Sequence, residues 1–178
     1  MKVLRPPLTD DVVRGLRAGD FVFISGRIVT ARDKVYSAAT SGKKPPIDMN
    51  GGVIYHCGPL AKKTKRGWKI ISAGPTTSAR MDSLQEDFVR ITGAKALVGK
   101  GGVGEDVARG ISRLGCVYLA FTGGAGVLAA SMIKKVEKVV WPELGAAEAM
   151  WVLRVEKFGP LVVAIDTHGK NLYLRGKT

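Results

Sequence analysis

Cysteine and histidine are scarce in this sequence of 178 residues, with two of each. Cys57 and Cys116 cannot build a disulfide framework. Nor can they alone hold an iron–sulfur cluster, which usually takes three or four thiolates. Buried free thiols on strands are the expectation. His56 falls within a strand and His168 in a turn, and no nucleophile–base pair is evident, so structural roles are expected for both. Amides are also few, two Asn and one Gln, a composition that points toward a heat-adapted source. No apolar run reaches the roughly 18 residues that span a membrane. Met1 to Pro7 carries no long apolar stretch of the kind a secretory signal needs. The expected location is cytoplasmic.

Negative charge is the other deficit. Fifteen acidic residues stand against 28 Lys and Arg, a net charge of +13 and a pI near 10.0. Such a chain could bind nucleic acid, dock on an acidic partner, or draw in an anionic substrate. The cations are spread along the chain except at Lys62-Lys63-Thr64-Lys65-Arg66, which reads as an exposed hairpin loop. No zinc-finger spacing or aromatic RNA-binding signature accompanies it.

What the chain has in quantity is apolar residues, 46%, and 23 glycines. Length and composition predict a single domain over residues 1–178 with a real core. Asp20 to Thr30 reads as a strand interrupted at Gly26, followed by a helix opened by Ala31-Arg32-Asp33. Val53 to Cys57 and Lys69 to Ala73 read as strands. Gly74-Pro75 ends the second, and Thr76 or Thr77 is placed to cap a helix running to about Ile91, with Leu84, Phe88 and Ile91 toward the core. Then come Ala96–Val98, a glycine turn, a helix Glu105–Leu114, a strand Cys116–Phe121, a second glycine turn, a helix Val127–Lys135 and a strand Lys138–Trp141. Two strand–helix units with short connections predict parallel strands. The tail reads as strands Met150–Lys157, Leu161–Ile165 and Asn171–Arg175, the last two joined as a hairpin through Asp166-Thr167-His168-Gly169. The fold class is α/β, with parallel units in the middle and β-rich ends.

Three cations sit at strand-to-helix junctions. Arg80 lies one turn into the helix after Gly74-Pro75, where helix N–H groups and dipole favour an anion, and its planar fork suits a carboxylate or phosphate. Lys100 stands in Gly99-Lys100-Gly101-Gly102-Val103-Gly104. That run matches a dinucleotide-binding pattern, but Phe121-Thr122-Gly123 occupies the place where a ribose-binding acid is needed, and no Gly-Lys-Ser/Thr follows for a P-loop. Arg32 repeats the Arg80 layout, its bland alternative being an ion pair with Asp33 or with another partner on the surface. If the strands run parallel, Arg32, Arg80 and Lys100 converge on one edge and suit a dianion such as a dicarboxylate. Groups to bind and polarise an acid are present, but little acid–base machinery is, which suggests half of an active site.

Several segments, in order and at matching distances, resemble one family. They are Gly26-Arg27-Ile28-Val29-Thr30-Ala31-Arg32-Asp33, Ile54-Tyr55-His56-Cys57-Gly58-Pro59, Ala73-Gly74-Pro75-Thr76-Thr77-Ser78-Ala79-Arg80-Met81-Asp82 and Gly99-Lys100-Gly101. Glu148-Ala149-Met150-Trp151, Val155-Glu156-Lys157-Phe158 and Asp166-Thr167-His168-Gly169 fit as well. The chain resembles, over nearly its whole length, the β subunit or C-terminal domain of class I iron–sulfur fumarate hydratases and the related L-tartrate dehydratases. The resemblance implies a swivelling β/β/α domain and a partner α subunit that carries a [4Fe-4S] cluster, in a hetero-oligomer or dimer of heterodimers. It implies that Arg32, Thr76, Arg80 and Lys100 contact a small dicarboxylate, with Thr76, Arg80 and Lys100 serving catalysis and Thr76 near the base. No metal ligand is expected in this chain. Tyr36 departs from the pattern, standing where many relatives have histidine. The expected reaction is hydration of fumarate to malate. Tartrate dehydration, and a non-catalytic module binding anions or nucleic acid, are the alternatives.

Overall fold

In the computed structural model, which describes residues 1–174, the chain is built on one seven-stranded sheet and a separate hairpin. The elements in order are β1 (Lys2–Leu4), α1 (Asp10–Arg14), β2 (Phe21–Thr30), α2 (Asp33–Thr40), β3 (Val53–Tyr55), β4 (Leu60–Thr64), β5 (Gly67–Ser72), α3 (Asp82–Thr92), β6 (Ala96–Gly99), α4 (Glu105–Arg113), β7 (Val117–Ala120), α5 (Gly126–Ser131), β8 (Ile133–Val140) and β9 (Met150–Ile165). Short 3-10 turns occupy Ser78–Met81, Pro142–Leu144 and Leu172–Leu174. The architecture is α/β, as the sequence predicts. No helix among the described residues is long and apolar enough to cross a membrane.

Strands β2, β3, β6 and β7 are parallel neighbours. The long β9 runs antiparallel to both β7 and β2, which closes these strands into a hydrogen-bonded ring. The bulge anticipated at Gly26 is present as a register shift against β9. Strand residues alternate between two cores, as a pleat requires. Val53, Tyr55, Val98, Val117 and Leu119 enter one cluster, while Ile54, Leu97 and Tyr118 enter a second with Tyr36 of α2, Phe88 of α3 and Ile111 of α4.

Four expectations are corrected. The first parallel unit, β6–α4–β7, forms, but the second does not. Helix α5 stops at Ser131 and β8 starts at Ile133, pairing antiparallel with β9. Ile133 to Lys135, read as the end of a helix, belong to this strand, with Lys134 and Lys135 exposed and Ile133 half-buried. The two strands expected over Met150–Ile165 are one bent strand. Only an isolated bridge, Ile165 to Asn171, remains of the hairpin beyond it, followed by the 3-10 turn; Arg175 lies outside the described residues. Finally, Lys62, Lys63 and Thr64 belong to β4, and only Lys65-Arg66 form the turn.

Helix α3 also turns a different face inward. Gln85, Phe88, Val89 and Thr92 are buried, Leu84 is half-buried and Ile91 is 49% exposed. The buried stripe is centred on the Gln85 side because Gln85 Nε2 donates to Ser78 O and Asp82 Oδ1, both at 2.9 Å.

Candidate functional site

The parallel strands β2, β3, β6 and β7 end on one edge, and the residues just beyond them are Arg32, His56, Lys100 and Phe121. Ligands of open α/β sheets gather at such carboxyl ends. Between the ends of β3 and β6 runs the segment Thr76–Ser78. Thr76 N donates to His56 O at 2.7 Å, Lys100 N to Thr76 O at 3.4 Å, and Ser78 N to Lys100 O at 3.1 Å. Thr77 and Lys100 thus form a parallel bridge. This extended pairing is why the expected threonine cap is missing. The 3-10 turn at Ser78 has no side-chain cap, and α3 begins only at Asp82.

The four residues singled out in the sequence are brought to this edge. Thr76 and Arg80 flank the bridge, and Lys100 is part of it. Arg80 is half exposed, and its Nη2 donates to Asp33 Oδ2 at 3.2 Å. Asp33 follows Arg32, so this pair ties the start of α2 to the turn before α3. Arg32 itself pairs with Glu148, Nε to Oε1 at 3.5 Å, both side chains largely covered. Glu148 Oε2 also accepts from Lys34 N at 3.0 Å. The guanidinium lies close against Gly58, where a Cβ would collide with Arg32 Nη1 and come within 2.7 Å of Ala147 O. Arg32 Nε is buried and makes no hydrogen bond. The Lys100 ammonium makes no ion pair among the described residues; a Cβ on Gly123 would lie 4.0 Å from its Nζ.

Beneath the edge lies a polar network that sequence reasoning missed. Tyr36 OH and His56 Nε2 are 2.7 Å apart, His56 Nδ1 and Ser78 Oγ 2.7 Å, and Ser78 Oγ and Tyr118 OH 2.8 Å. All four residues are fully buried. Burial pushes the His56 pKa down to about 3, so the imidazole is neutral. Gly99 is small because this network sits over it: a Cβ there would overlap Ser78 Oγ and lie 3.0 Å from His56 Nδ1. On the other side of the Lys100 turn, Asp82 Oδ2 accepts from Gly104 N at 2.8 Å. Burial raises the Asp82 pKa, partly offset by the bonds from Gly104 and Gln85. The network's one local trace in the sequence is His56, a polar residue inside the apolar run Val53 to Cys57; Ser78 stands in a polar turn and gives none.

His168 is far from the edge in sequence and structure, with Nε2 2.9 Å from Arg14 O and close to Arg17. The cysteines do not suit a cluster. Both are fully buried, they belong to different core clusters, and burial pushes each thiol up to about 12.

Fold and edge together define a class: an α/β protein that presents cations at the carboxyl ends of parallel strands. The chain belongs to the Fumarase C-terminus family, whose model matches residues 2–176. It is 41% identical over 177 residues to the L(+)-tartrate dehydratase subunit beta of Escherichia coli (strain K12), covering 99% of this chain and 88% of that one. It is 44% identical over 171 residues to a putative L(+)-tartrate dehydratase subunit beta of Methanocaldococcus jannaschii, covering 93% and 88%. A putative fumarate hydratase class I of Geobacillus stearothermophilus is 42% identical over 171 residues, covering 96% of this chain but 33% of that protein. The chain is thus of the β-subunit type in the tartrate dehydratase and class I fumarate hydratase family, and the names of its relatives are those of hydro-lyases.

Proposed function

We propose that this chain is the carboxylate-holding β subunit of a cytoplasmic fumarate hydratase, working with an α subunit that bears a [4Fe-4S] cluster. The observation that carries the reading is that Arg32, Thr76, Arg80 and Lys100 all stand at the carboxyl ends of the parallel strands. Two arginine forks and an ammonium are the donor set for the two carboxylates of a four-carbon diacid. In dehydration a proton leaves the carbon next to one carboxylate, and negative charge builds on that carboxylate. Fixed cations aimed at it stabilise this charge more than the ground state and so lower the barrier. In this reading the Thr76 hydroxyl, at the same edge, holds a hydrogen bond to substrate or base. When bound on the partner, the cluster supplies a Lewis acid; this chain's contribution is to grip and orient. The relatives whose length the chain nearly matches are named as beta subunits, which supports a second polypeptide. A rim of exposed apolar residues adjoins the edge: Ile71 near Gly74, and Val127 and Leu128 next to Gly126, which packs against Gly74. It is a fitting face for that subunit.

A second reading, L-tartrate dehydration, is favoured by the relatives whose length the chain nearly matches, which are named tartrate dehydratase subunit beta. Anaerobic co-expression with the α subunit, followed by assays on malate, fumarate and L-tartrate, separates the two. Turnover of malate and fumarate above tartrate supports the first reading. The reverse order supports the second. No turnover, with salt-sensitive retention on nucleic acid instead, contradicts both.

A further inference from the structure

The buried chain Tyr36–His56–Ser78–Tyr118 joins four parts of the fold that are distant in sequence: α2, the end of β3, the turn before α3, and β7. It lies under the two segments that carry the candidate substrate groups. His56 holds Thr76–Ser78 twice, by its carbonyl on Thr76 N and by its ring on Ser78 Oγ. Ser78 holds Lys100 by its own N–H on Lys100 O. Four polar groups in a fully covered site are expensive to bury unless each is bonded. Apolar residues of similar shape would fill such a space without that requirement. What bonded polar groups give, and apolar packing does not, is a fixed distance and direction.

We propose that Ser78, with His56 and Tyr118, is a positioning residue for the site, setting the spacing between the Thr76–Arg80 turn and Lys100; this rests on the carboxylate-holding role argued above. Ser78 touches no substrate. Its hydroxyl is the shared node: it meets His56 Nδ1 on one side and Tyr118 OH on the other, directly above Gly99, whose missing Cβ makes room for it. Loss of that node lets the turn, and Arg80 with it, shift against Lys100 although both cations are still present. A displacement of about 1 Å in such groups is enough to cost on the order of 100-fold in rate.

The test is a pair of double-mutant cycles in the assembled enzyme, with kcat/KM as the readout. Ser78→Ala is combined with Arg80→Ala and, separately, with Lys100→Met. Ser78→Ala is expected to lower kcat/KM about 10-fold or more, chiefly in kcat. Its cost is expected to shrink at least about threefold in one of the two cation-deficient backgrounds, because a positioning residue has less to position there. Tyr118→Phe keeps the ring packing and removes only the hydroxyl, so it serves if Ser78→Ala fails to assemble; its expected loss is about threefold or more, with the same shrinkage. Equal cost in every background overturns the proposal, as does wild-type kcat/KM in Ser78→Ala while Arg80→Ala and Lys100→Met are both impaired. Wild-type activity in Arg80→Ala and Lys100→Met overturns the carboxylate-holding reading itself, and the positioning role with it.

Discussion

At the scale of single residues, charge and burial separate the groups that face a ligand from those that hold them. Arg80 is half exposed with a single carboxylate partner, and the Lys100 ammonium has none among the described residues. Their geometry, rather than their charge alone, is what a dicarboxylate needs. Arg80→Lys keeps the charge and loses the two-pronged grip. Truncating a charged hydrogen-bonding partner costs about 2–5 kcal/mol, so a fall of roughly 30-fold or more in kcat/KM is expected in the assembled enzyme. Steady-state assay with malate checks this; activity within twofold of wild type contradicts it. His56 makes the opposite case. Its ordinary pKa of 6.5 is lowered to about 3 by burial. Below pH 6.5 the unfolded chain takes up a proton there that the folded chain refuses. Stability from this group is therefore complete above about 6.5 and declines as pH falls toward 3, by up to about 1.4 kcal/mol per pH unit. Urea unfolding at pH 7.5 and pH 5.0 should show wild type losing roughly 2 kcal/mol more than His56→Gln between the two conditions. Equal losses would mean that His56 is not buried as a neutral ring.

At the scale of elements, the sequence made legible whatever local pattern controls. The β2–α2 and β6–α4–β7 units, the Gly26 bulge and the placing of Arg32, Arg80 and Lys100 at junctions all follow from strand runs, glycine turns and the helical spacing after them. Where tertiary pairing decides, the reading failed. Ile133 to Lys135 extend the strand that the sequence shows from Lys138 because β9 offers them an antiparallel edge, not because of their own pattern. Thr76 and Thr77 do not cap because the bonds of Thr76 to His56 and Lys100, and of Ser78 to Lys100, hold the segment extended. The four-residue polar network was invisible for the same reason: its members come from separate segments, and only the fold brings them together. The α3 face gives a direct check. Phe88 stacks on Tyr36 with ring centroids 3.9 Å apart and is fully buried, while Ile91 is half exposed. Phe88→Ala should cost about 3–5 kcal/mol, as for a large core truncation. Ile91→Ala should stay within about 0.5 kcal/mol. Chemical denaturation of the two variants tests the phase of the helix, and similar losses in both would contradict it.

At the scale of the whole molecule, two features belong together: a closed, well-filled ring of strands and an open, cation-bearing edge at one end of it. The core needs no partner to be complete. On the function proposed above the edge is shared with a partner: it offers cations and a threonine, Asp33 and Glu148 are paired with Arg80 and Arg32, and His56 is buried and neutral. The net charge of +13 adds a long-range pull on dianions and on an acidic protein face. The central claim is that one active site is divided between two chains and that this chain holds the carboxylates. Anaerobic titration of the purified α subunit with this chain, following malate turnover, tests it most directly, with Lys100→Met and Lys63→Met run beside wild type. The account predicts no turnover from this chain alone and a rise to a plateau at one β per α for wild type. Lys63→Met, on the exposed hairpin, should reach nearly the same plateau at moderate salt, whereas Lys100→Met should saturate at the same ratio with kcat/KM lower by about 100-fold or more. Turnover by the isolated chain, or a Lys100→Met assembly as active as Lys63→Met, would contradict it.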